Sequence, residues 1–123
     1  MDRTFKALSL LLSYPTAELQ DAMPEIAAVL GADPRLPAET LAGLQDLTGD
    51  LARGDLYDLQ ERYVMLFDRS RTLSLNLFEH VHGESRERGG AMVSLIETYR
   101  EAGFEPATSE LPDHLPVLLE FLS

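Results

Sequence analysis

The sixteen residues from Leu77 to Met92, LFEHVHGESRERGGAM, concentrate side chains that can bind a metal or move a proton. They include two histidines, three glutamates and two arginines, beside a Gly-Gly pair. The rest of the chain is mostly leucine, alanine and scattered acidic residues. Such a cluster suits one of three roles: metal binding, catalysis, or the shaping of a polar surface.

A metal site is the sharpest of these hypotheses. Glu79 and His82 form a Glu-x-x-His pair, which helical di-iron proteins use together with a second pair and two further glutamates. The sequence around His114 does not supply the second copy. His80 and His82 cannot share one ion on a helix, because residues two apart point about 200° from each other. A small helical metal-binding protein that uses Glu79 and His82 remains the alternative from a different functional class.

Other kinds of catalysis find little support in the sequence. The chain has no cysteine, which excludes disulfides, thiolate metal sites and a cysteine nucleophile. No serine lies in the strand-turn-helix setting of a nucleophile elbow. Gly89 and Gly90 do not make a phosphate loop, which needs more glycines at fixed spacing after a strand. A structural role for His80, hydrogen-bonded to a carboxylate or carbonyl, is the plainer interpretation. We therefore expect neither enzymatic activity nor a bound cofactor or metal.

Charge restricts the class of partner. The 123 residues carry a net charge of −11, with 45% hydrophobic and 25% charged residues. Such an acidic chain is a poor candidate for nucleic-acid binding, which requires Lys and Arg to neutralise phosphates. Its field would instead attract a basic partner. Acidity for solubility alone is an equally good explanation of the composition.

The length and the hydrophobic pattern predict one soluble domain. No apolar run approaches the ~20 residues needed to cross a bilayer. The N-terminal stretch MDRTFKALSLLLSYP resembles a secretion signal only superficially, because Ser9 interrupts it and no cleavage site follows Pro15. We expect a cytoplasmic protein in which residues 1–123 form a single helical domain.

The periodicity of apolar residues predicts an all-α bundle of about six helices. The expected helices are one ending at Tyr14–Pro15; one from Thr16 to Leu30, kinked or restarted at Pro24; one carrying Leu41, Leu44, Leu47 and Leu51; one capped by Asp55; one from Ser85 or Arg86 to Ala102; and one capped by Asp113. The segment TLSLNLF alternates as a strand does, yet no other segment offers a pairing partner. We expect it to be irregular or a short helical lead-in.

The last helix, around LPVLLEFLS, is apolar on almost every side. A helix of this kind is normally buried, although the sequence ends there without a capping signal. We expect the chain to be the N-terminal portion of a longer protein, truncated at its C-terminus. The uncovered leucines would then favour dimerisation through this helix, or disorder of it.

Two stretches, YVMLFDRSRTLSLNLFEHVHGESRERGGAMVSL and ELPDHLPVLLEFL, resemble the NarJ family. These proteins are the delta subunits, or molybdenum-cofactor assembly chaperones, of respiratory nitrate reductase, within the wider group of TorD- and DmsD-like maturation chaperones. Two motifs of that group are present: aromatic-x-x-Leu-Phe at Tyr63–Phe67 and Glu-x-x-Asp-His at Glu110–His114. The run LFEHVHGESRERG is typical of the nitrate-reductase branch.

The resemblance implies an all-α cytoplasmic chaperone without catalysis. It would bind the N-terminal peptide of the molybdenum catalytic (alpha) subunit, a remnant of a twin-arginine leader, and support cofactor insertion before membrane docking. The acidic, apolar-faced helices suit a basic amphipathic peptide. The residues we expect to contact it are Tyr63, Leu66, Phe67, Phe78, Glu79, His82, Glu84, Glu110, Asp113 and His114. Ordinary core packing for Tyr63, Leu66 and Phe67, and a generic acidic interaction domain without leader specificity, remain open.

Overall fold

The computed structural model describes residues 2–69, 72–83 and 85–123. The described residues form seven α-helices and one π-helix, connected by turns. The elements are α1 (Arg3–Leu11), α2 (Ala17–Gly31), α3 (Ala38–Arg53), α4 (Leu56–Tyr63), a π-helix (Val64–Asp68), α5 (Leu77–Val81), α6 (Glu87–Glu101) and α7 (Leu115–Leu122). The prediction of an all-α fold is confirmed. The segment TLSLNLF is non-helical until its last two residues, Leu77 and Phe78, which begin the short α5.

The core lies where the first four helices meet. Helix α2 packs against α3 and α1, and α1 also packs along α7. The innermost side chains of the core are Ala7, Leu11, Met23, Ile26, Leu30, Leu51 and Leu59. Within α1 and α2 their spacing is the three-to-four-residue repeat that places apolar side chains on one face. This packing fixes the positions of α1, α3 and α4 around the site described below.

Several helix boundaries follow the signals in the sequence. The Thr16 hydroxyl accepts a hydrogen bond from Leu19 N at the start of α2, and the Asp55 carboxylate accepts one from Asp58 N at the start of α4. Gly103 adopts φ +74° just after α6, as a helix-terminating glycine does. Helix α1 ends three residues earlier than predicted, at Leu11 rather than Tyr14.

Pro24 does not interrupt α2, so the predicted restart of the helix is wrong. The helix is continuous from Ala17 to Gly31, and Pro24 lies on its exposed side. A proline there removes one backbone N–H, but its side chain projects towards solvent and displaces no core residue. A solvent-facing position therefore tolerates the proline.

The expectation that the segment before α5 has no pairing partner is wrong. Asn76 forms an isolated antiparallel bridge with His114, just before α7. Leu115 N donates to the Leu75 carbonyl at 2.7 Å, and Leu77 N donates to the Asp113 carbonyl at 3.1 Å. Two segments nearly forty residues apart in sequence thus satisfy each other's backbone groups, as buried backbone must.

Gly54 at the junction of α3 and α4 provides a stability test. A Cβ at this position would lie 2.9 Å from the Asp50 carbonyl oxygen and 3.0 Å from a Leu59 methyl group. We expect Gly54→Ala to lower the free energy of unfolding by about 1–3 kcal/mol, as overpacking does. Urea denaturation would measure the change.

The matched control for this substitution is Gly43→Ala within α3. Gly43 is exposed and a Cβ there would meet nothing within 4 Å. Alanine should therefore raise the free energy of unfolding by about 0.5–1 kcal/mol. Equal effects of the two substitutions would show that the junction is not tightly packed.

Candidate functional site

Tyr63, the last residue of α4, is held in a fixed orientation. Its hydroxyl donates to the Leu12 carbonyl at 2.9 Å, which ties α4 to the end of α1. Its ring makes edge contacts with Tyr14 and Phe67, at centroid distances of 5.6 and 4.9 Å. The side chain is half-buried. One hydrogen bond and two aromatic contacts together leave the ring little freedom to rotate.

On one side of Tyr63 lies an apolar pocket of about 310 Å³. It is formed by the end of α1, the end of α3, α4 and the π-helix. Its lining residues are Leu11, Leu12, Ser13, Pro15, Leu47, Asp50, Leu51, Leu59, Arg62, Tyr63, Leu66 and Phe67. Most of these are aliphatic or aromatic, and Leu66 is 41% exposed at its edge. The pocket suits an apolar side chain.

Tyr63 also borders an acidic pocket of about 480 Å³. Its lining residues are Lys6, Ser9, Leu10, Ser13, Tyr14, Tyr63, Asp68, Phe104, Glu105, Pro106, Ala107, Thr108, Glu110, His114, Pro116, Val117 and Glu120. Four carboxylates and one lysine are among them. The lysine, Lys6, pairs with Glu120 at 3.1 Å. Three acids, Asp68, Glu105 and Glu110, are then left to give the pocket a negative field.

The environment of the Tyr63 hydroxyl reflects this arrangement. Burial raises the pKa of Tyr63 to about 12, and the negative charges of Asp68 and Glu110 add to the increase. Both effects disfavour the tyrosinate anion, one by desolvation and the other by repulsion. Asp68 and Glu110, although far apart in sequence, both line the acidic pocket beside Tyr63.

This raised pKa leads to a test in alkaline solution. The pKa of Tyr99 is also raised to about 12, by burial and by Asp113. Because the folded state holds both phenols neutral, their contribution to stability is complete below the ordinary pKa of 10.0 and is lost as the pH rises towards about 12. We expect the free energy of unfolding to fall in that window, and to fall less steeply in Tyr63→Phe. Urea denaturation over a pH series would show it, and an identical slope in the variant would contradict it.

The π-helix distributes successive side chains between the two pockets. Arg69 N donates to the Val64 carbonyl at 3.1 Å, a bond that spans five residues instead of four. Leu66 and Phe67 line the apolar pocket, whereas Asp68 lines the acidic one. Short π-helical segments are rare and occur often at functional sites. Here Asp68, the acid that directly follows the aromatic-x-x-Leu-Phe motif, lines a different pocket from Leu66 and Phe67.

Asp113 does not cap its own helix, contrary to the prediction. The residue at the N-cap of α7 is His114, and no side chain caps that helix. Asp113 is fully buried, and its Oδ2 accepts a hydrogen bond from Phe78 N at 2.8 Å. This carboxylate satisfies a free N–H in the first turn of α5, where a negative charge is favourable. Asp113 and Phe78 thus join α5 to the start of α7 and line neither pocket.

The remaining predicted residues of α5 also lie outside the two pockets. Glu79 accepts a hydrogen bond from the Ser74 hydroxyl. His82 packs edge-on against Phe78 at 5.4 Å, and its Nδ1 is 4.0 Å from a carboxylate oxygen of Glu87. The predicted residue Glu84 lies outside the described residues.

The metal-site alternative gains no support from this geometry. Within residues 2–69, 72–83 and 85–123, no three His, Asp or Glu side chains are grouped so that they could hold an ion. His80 makes the contact expected of a structural histidine, since its Nε2 lies 2.7 Å from the Ser74 carbonyl oxygen.

The structure therefore separates the ten predicted contact residues into groups. Tyr63, Leu66 and Phe67 meet at the apolar pocket, and Glu110 and His114 meet Tyr63 at the acidic pocket. Sequence reasoning missed Asp68, although it directly follows the Leu-Phe motif. It also missed Glu105 and Glu120, for which only the acidic excess near the C-terminus offered a signal.

The helical fold with this site was compared with known protein families, curated proteins and solved structures, and these comparisons identify its family. Residues 15–123 match the family model of the nitrate reductase delta subunit, so the chain belongs to that family. One relative is NarJ of Escherichia coli K12, the nitrate reductase molybdenum cofactor assembly chaperone. The two sequences are 47% identical over 116 residues, which cover 94% of this chain and 49% of NarJ. The chain thus spans about half the length of that relative.

Two further matches agree with this family. NarW of the same strain, whose name gives it as a probable nitrate reductase molybdenum cofactor assembly chaperone, is 42% identical over 96% of this chain and 48% of its own length. A crystal structure of a proposed redox enzyme maturation protein from Archaeoglobus fulgidus superposes with a TM-score of 0.68 at 28% identity. That match covers 99% of this chain and 69% of the other.

Within the described residues, no helix has the length and apolar character needed to cross a membrane.

Proposed function

We propose that this protein is an assembly chaperone for respiratory nitrate reductase. It acts in the cytoplasm, without catalysing a reaction, on the molybdenum catalytic subunit before that subunit docks at the membrane. Membership of the nitrate reductase delta subunit family supports this role, as do the names of the NarJ and NarW relatives. This role would connect the protein to nitrate metabolism, including nitrate assimilation.

The ligand proposed for the site is the N-terminal, leader-like peptide of the catalytic subunit. The observation that carries this proposal is the apolar pocket that shares Tyr63 with an acidic one. An amphipathic helix with basic residues complements such a surface, because apolar contact supplies affinity and opposite charge speeds the encounter. The same helix would place its basic residues near Asp68 and Glu110 and its apolar residues near Leu66 and Phe67.

The residues expected to contact the peptide divide accordingly. Tyr63, Leu66, Phe67, Glu110 and His114 line the pockets and are proposed to contact it directly. Phe78 and Asp113 are proposed to hold the surrounding backbone. Glu79, His82 and Glu84 remain proposed contacts with the positively charged end of the peptide.

Isothermal titration calorimetry tests the proposed function. The titrants are a synthetic peptide with the N-terminal sequence of the cognate catalytic subunit and a scrambled peptide of the same composition. Because the scrambled peptide keeps the charge but loses the amphipathic pattern, we expect the cognate peptide to bind at least tenfold more tightly. Equal affinity for the two would reduce the protein to a generic acidic interaction domain.

Self-association through α7 is also proposed. Leu122 is 50% exposed, and its neighbours Leu118 and Leu119 are only partly buried. Exposed leucines on one helix favour contact with a second copy. Sedimentation velocity over a concentration series should show a dimer that Leu122→Ser weakens, whereas a monomer at every concentration would contradict this.

A further inference from the structure

We propose that Tyr63 divides the ligand site into two subsites and thereby sets the spacing of the residues that a ligand must present. One subsite takes a bulky apolar side chain beside Leu66 and Phe67. The other takes a lysine or arginine side chain beside Asp68 and Glu110. This inference rests on the proposed function and adds a requirement: the apolar and basic residues of the peptide lie three or four positions apart on one helical face.

The first argument is the position of Tyr63 between the two pockets. Of all the lining residues, only Ser13 and Tyr63 border both of them. Ser13 is small, so the tyrosine ring is the main barrier between the two spaces. The hydrogen bond to the Leu12 carbonyl and the edge contacts with Tyr14 and Phe67 hold this ring in place. A ligand that occupies both pockets therefore contacts this ring on the way from one to the other.

The second argument is the contrast in chemistry across the ring. Phe67 and Asp68 are neighbours in sequence, yet the π-helix places them in different pockets. The two pockets thus differ in their main chemistry, although Asp50 and Arg62 also line the apolar one and Leu10 and Val117 also line the acidic one. The apolar pocket has aliphatic and aromatic walls, whereas three of the four carboxylates around the other pocket have no lysine or arginine bonded to them among the described residues.

The third argument is the geometry of a helical ligand. Two side chains that contact Tyr63 from different pockets must leave the ligand helix on the same face. Helical residues three or four apart do so, with Cβ atoms about 5–6 Å apart, whereas residues two apart point in different directions. A helix can therefore present two side chains to Tyr63 together at the three- or four-residue spacing but not at the two-residue spacing.

Double-mutant cycles on the purified protein test the division into subsites. The probe is the synthetic N-terminal peptide of the cognate catalytic subunit, with each basic residue changed to Gln and each apolar residue to Ala, one at a time. The protein variants are Leu66→Ala for the apolar subsite and the pair Asp68→Asn and Glu110→Gln for the basic one. All three residues are exposed, so these variants are expected to fold.

We expect coupling only between matched partners. For one apolar-to-Ala change in the peptide, the combined effect with Leu66→Ala on Kd should differ at least threefold from the product of the two separate effects. For one basic-to-Gln change in the peptide, the combined effect with the acid pair should deviate equally strongly. Crossed combinations should be additive within about twofold, as for independent sites. The controls are Val93→Ala and the pair Glu97→Gln and Glu101→Gln, which make the same chemical changes on exposed positions of α6; these should couple with nothing.

The spacing requirement is tested with two designed helical peptides of identical composition. One carries leucine and arginine four residues apart, and the other carries them two apart. We expect at least fivefold tighter binding of the first, and loss of that preference in Tyr63→Leu, with circular dichroism confirming that the variant is folded. Crossed coupling as strong as matched coupling, or equal binding of the two designed peptides, would overturn only the division of the site by Tyr63 and not the proposed function. No binding of the unmodified cognate peptide would instead overturn the proposed function.

Discussion

Replacing Asp113 with alanine should lower the free energy of unfolding by about 2–3 kcal/mol, because it removes a charged acceptor and leaves a backbone N–H without a partner. The carboxylate is fully buried and accepts from Phe78 N at 2.8 Å. It also lies beside the backbone bonds between Leu75 and Leu115 and between Leu77 and Asp113. Urea denaturation followed by circular dichroism would measure the loss.

Two control substitutions identify the cause of that loss. Asp113→Asn keeps an oxygen acceptor for Phe78 N and removes the buried charge, so it should lose less than half as much. Among the described residues, Oδ1 of Asp113 has no hydrogen-bond partner, so replacing this oxygen removes no hydrogen bond. Glu110→Ala, at an exposed position of the same motif, should leave stability within about 0.5 kcal/mol of the unmodified protein. Unchanged stability in Asp113→Ala, accompanied by weaker peptide binding, would show instead that Asp113 contacts the ligand.

Replacing Leu66 with lysine should weaken binding of the cognate N-terminal peptide by at least tenfold, which is about 1.4 kcal/mol. The substitution removes an apolar side chain from the edge of the apolar pocket and introduces a charge of the same sign as the basic peptide. Because Leu66 is 41% exposed, the free energy of unfolding should change little. Calorimetry gives the affinity, and urea denaturation confirms that the fold is intact.

The matched control is Val93→Lys on α6. Val93 is 55% exposed, and the substitution changes the net charge by the same amount. If only the overall charge of the protein attracted the peptide, the two lysine variants would weaken binding equally. We expect Val93→Lys to change the affinity by less than about twofold, the error of additivity at a distant site.

The sequence was sufficient to predict the helical class and most helix boundaries. Local signals determine these features: Thr16 and Asp55 begin helices with their own side chains, and Gly103 ends one by adopting a positive φ. The apolar repeat likewise identified the third helix, where Leu51 enters the core. Each of these features depends on residues within one or two turns of one another, so a single stretch of sequence contains the information.

The features that the sequence did not predict depend on contacts between distant segments. Asp113 resembles a local helix cap, but its hydrogen bond goes to Phe78, thirty-five residues away. The π-helix after Tyr63 lies within an ordinary helical pattern, and its role depends on Asp68 lining the same pocket as the distant Glu110. The tolerance of Pro24 likewise depends on which side of α2 faces water. Tertiary packing decides all three, and hydrophobic periodicity contains no record of it.

The most direct test of the proposed site is an NMR titration of the isotope-labelled protein with the cognate N-terminal peptide. The proposal predicts saturable chemical-shift changes at Leu66, Phe67 and the ring of Tyr63, together with changes at Glu110 and His114 on the acidic side. Intermolecular contacts should connect apolar peptide residues to the first three and basic ones to the last two. Shifts confined to α6, or saturable binding that leaves the signals of Tyr63 unchanged, would contradict the proposed site.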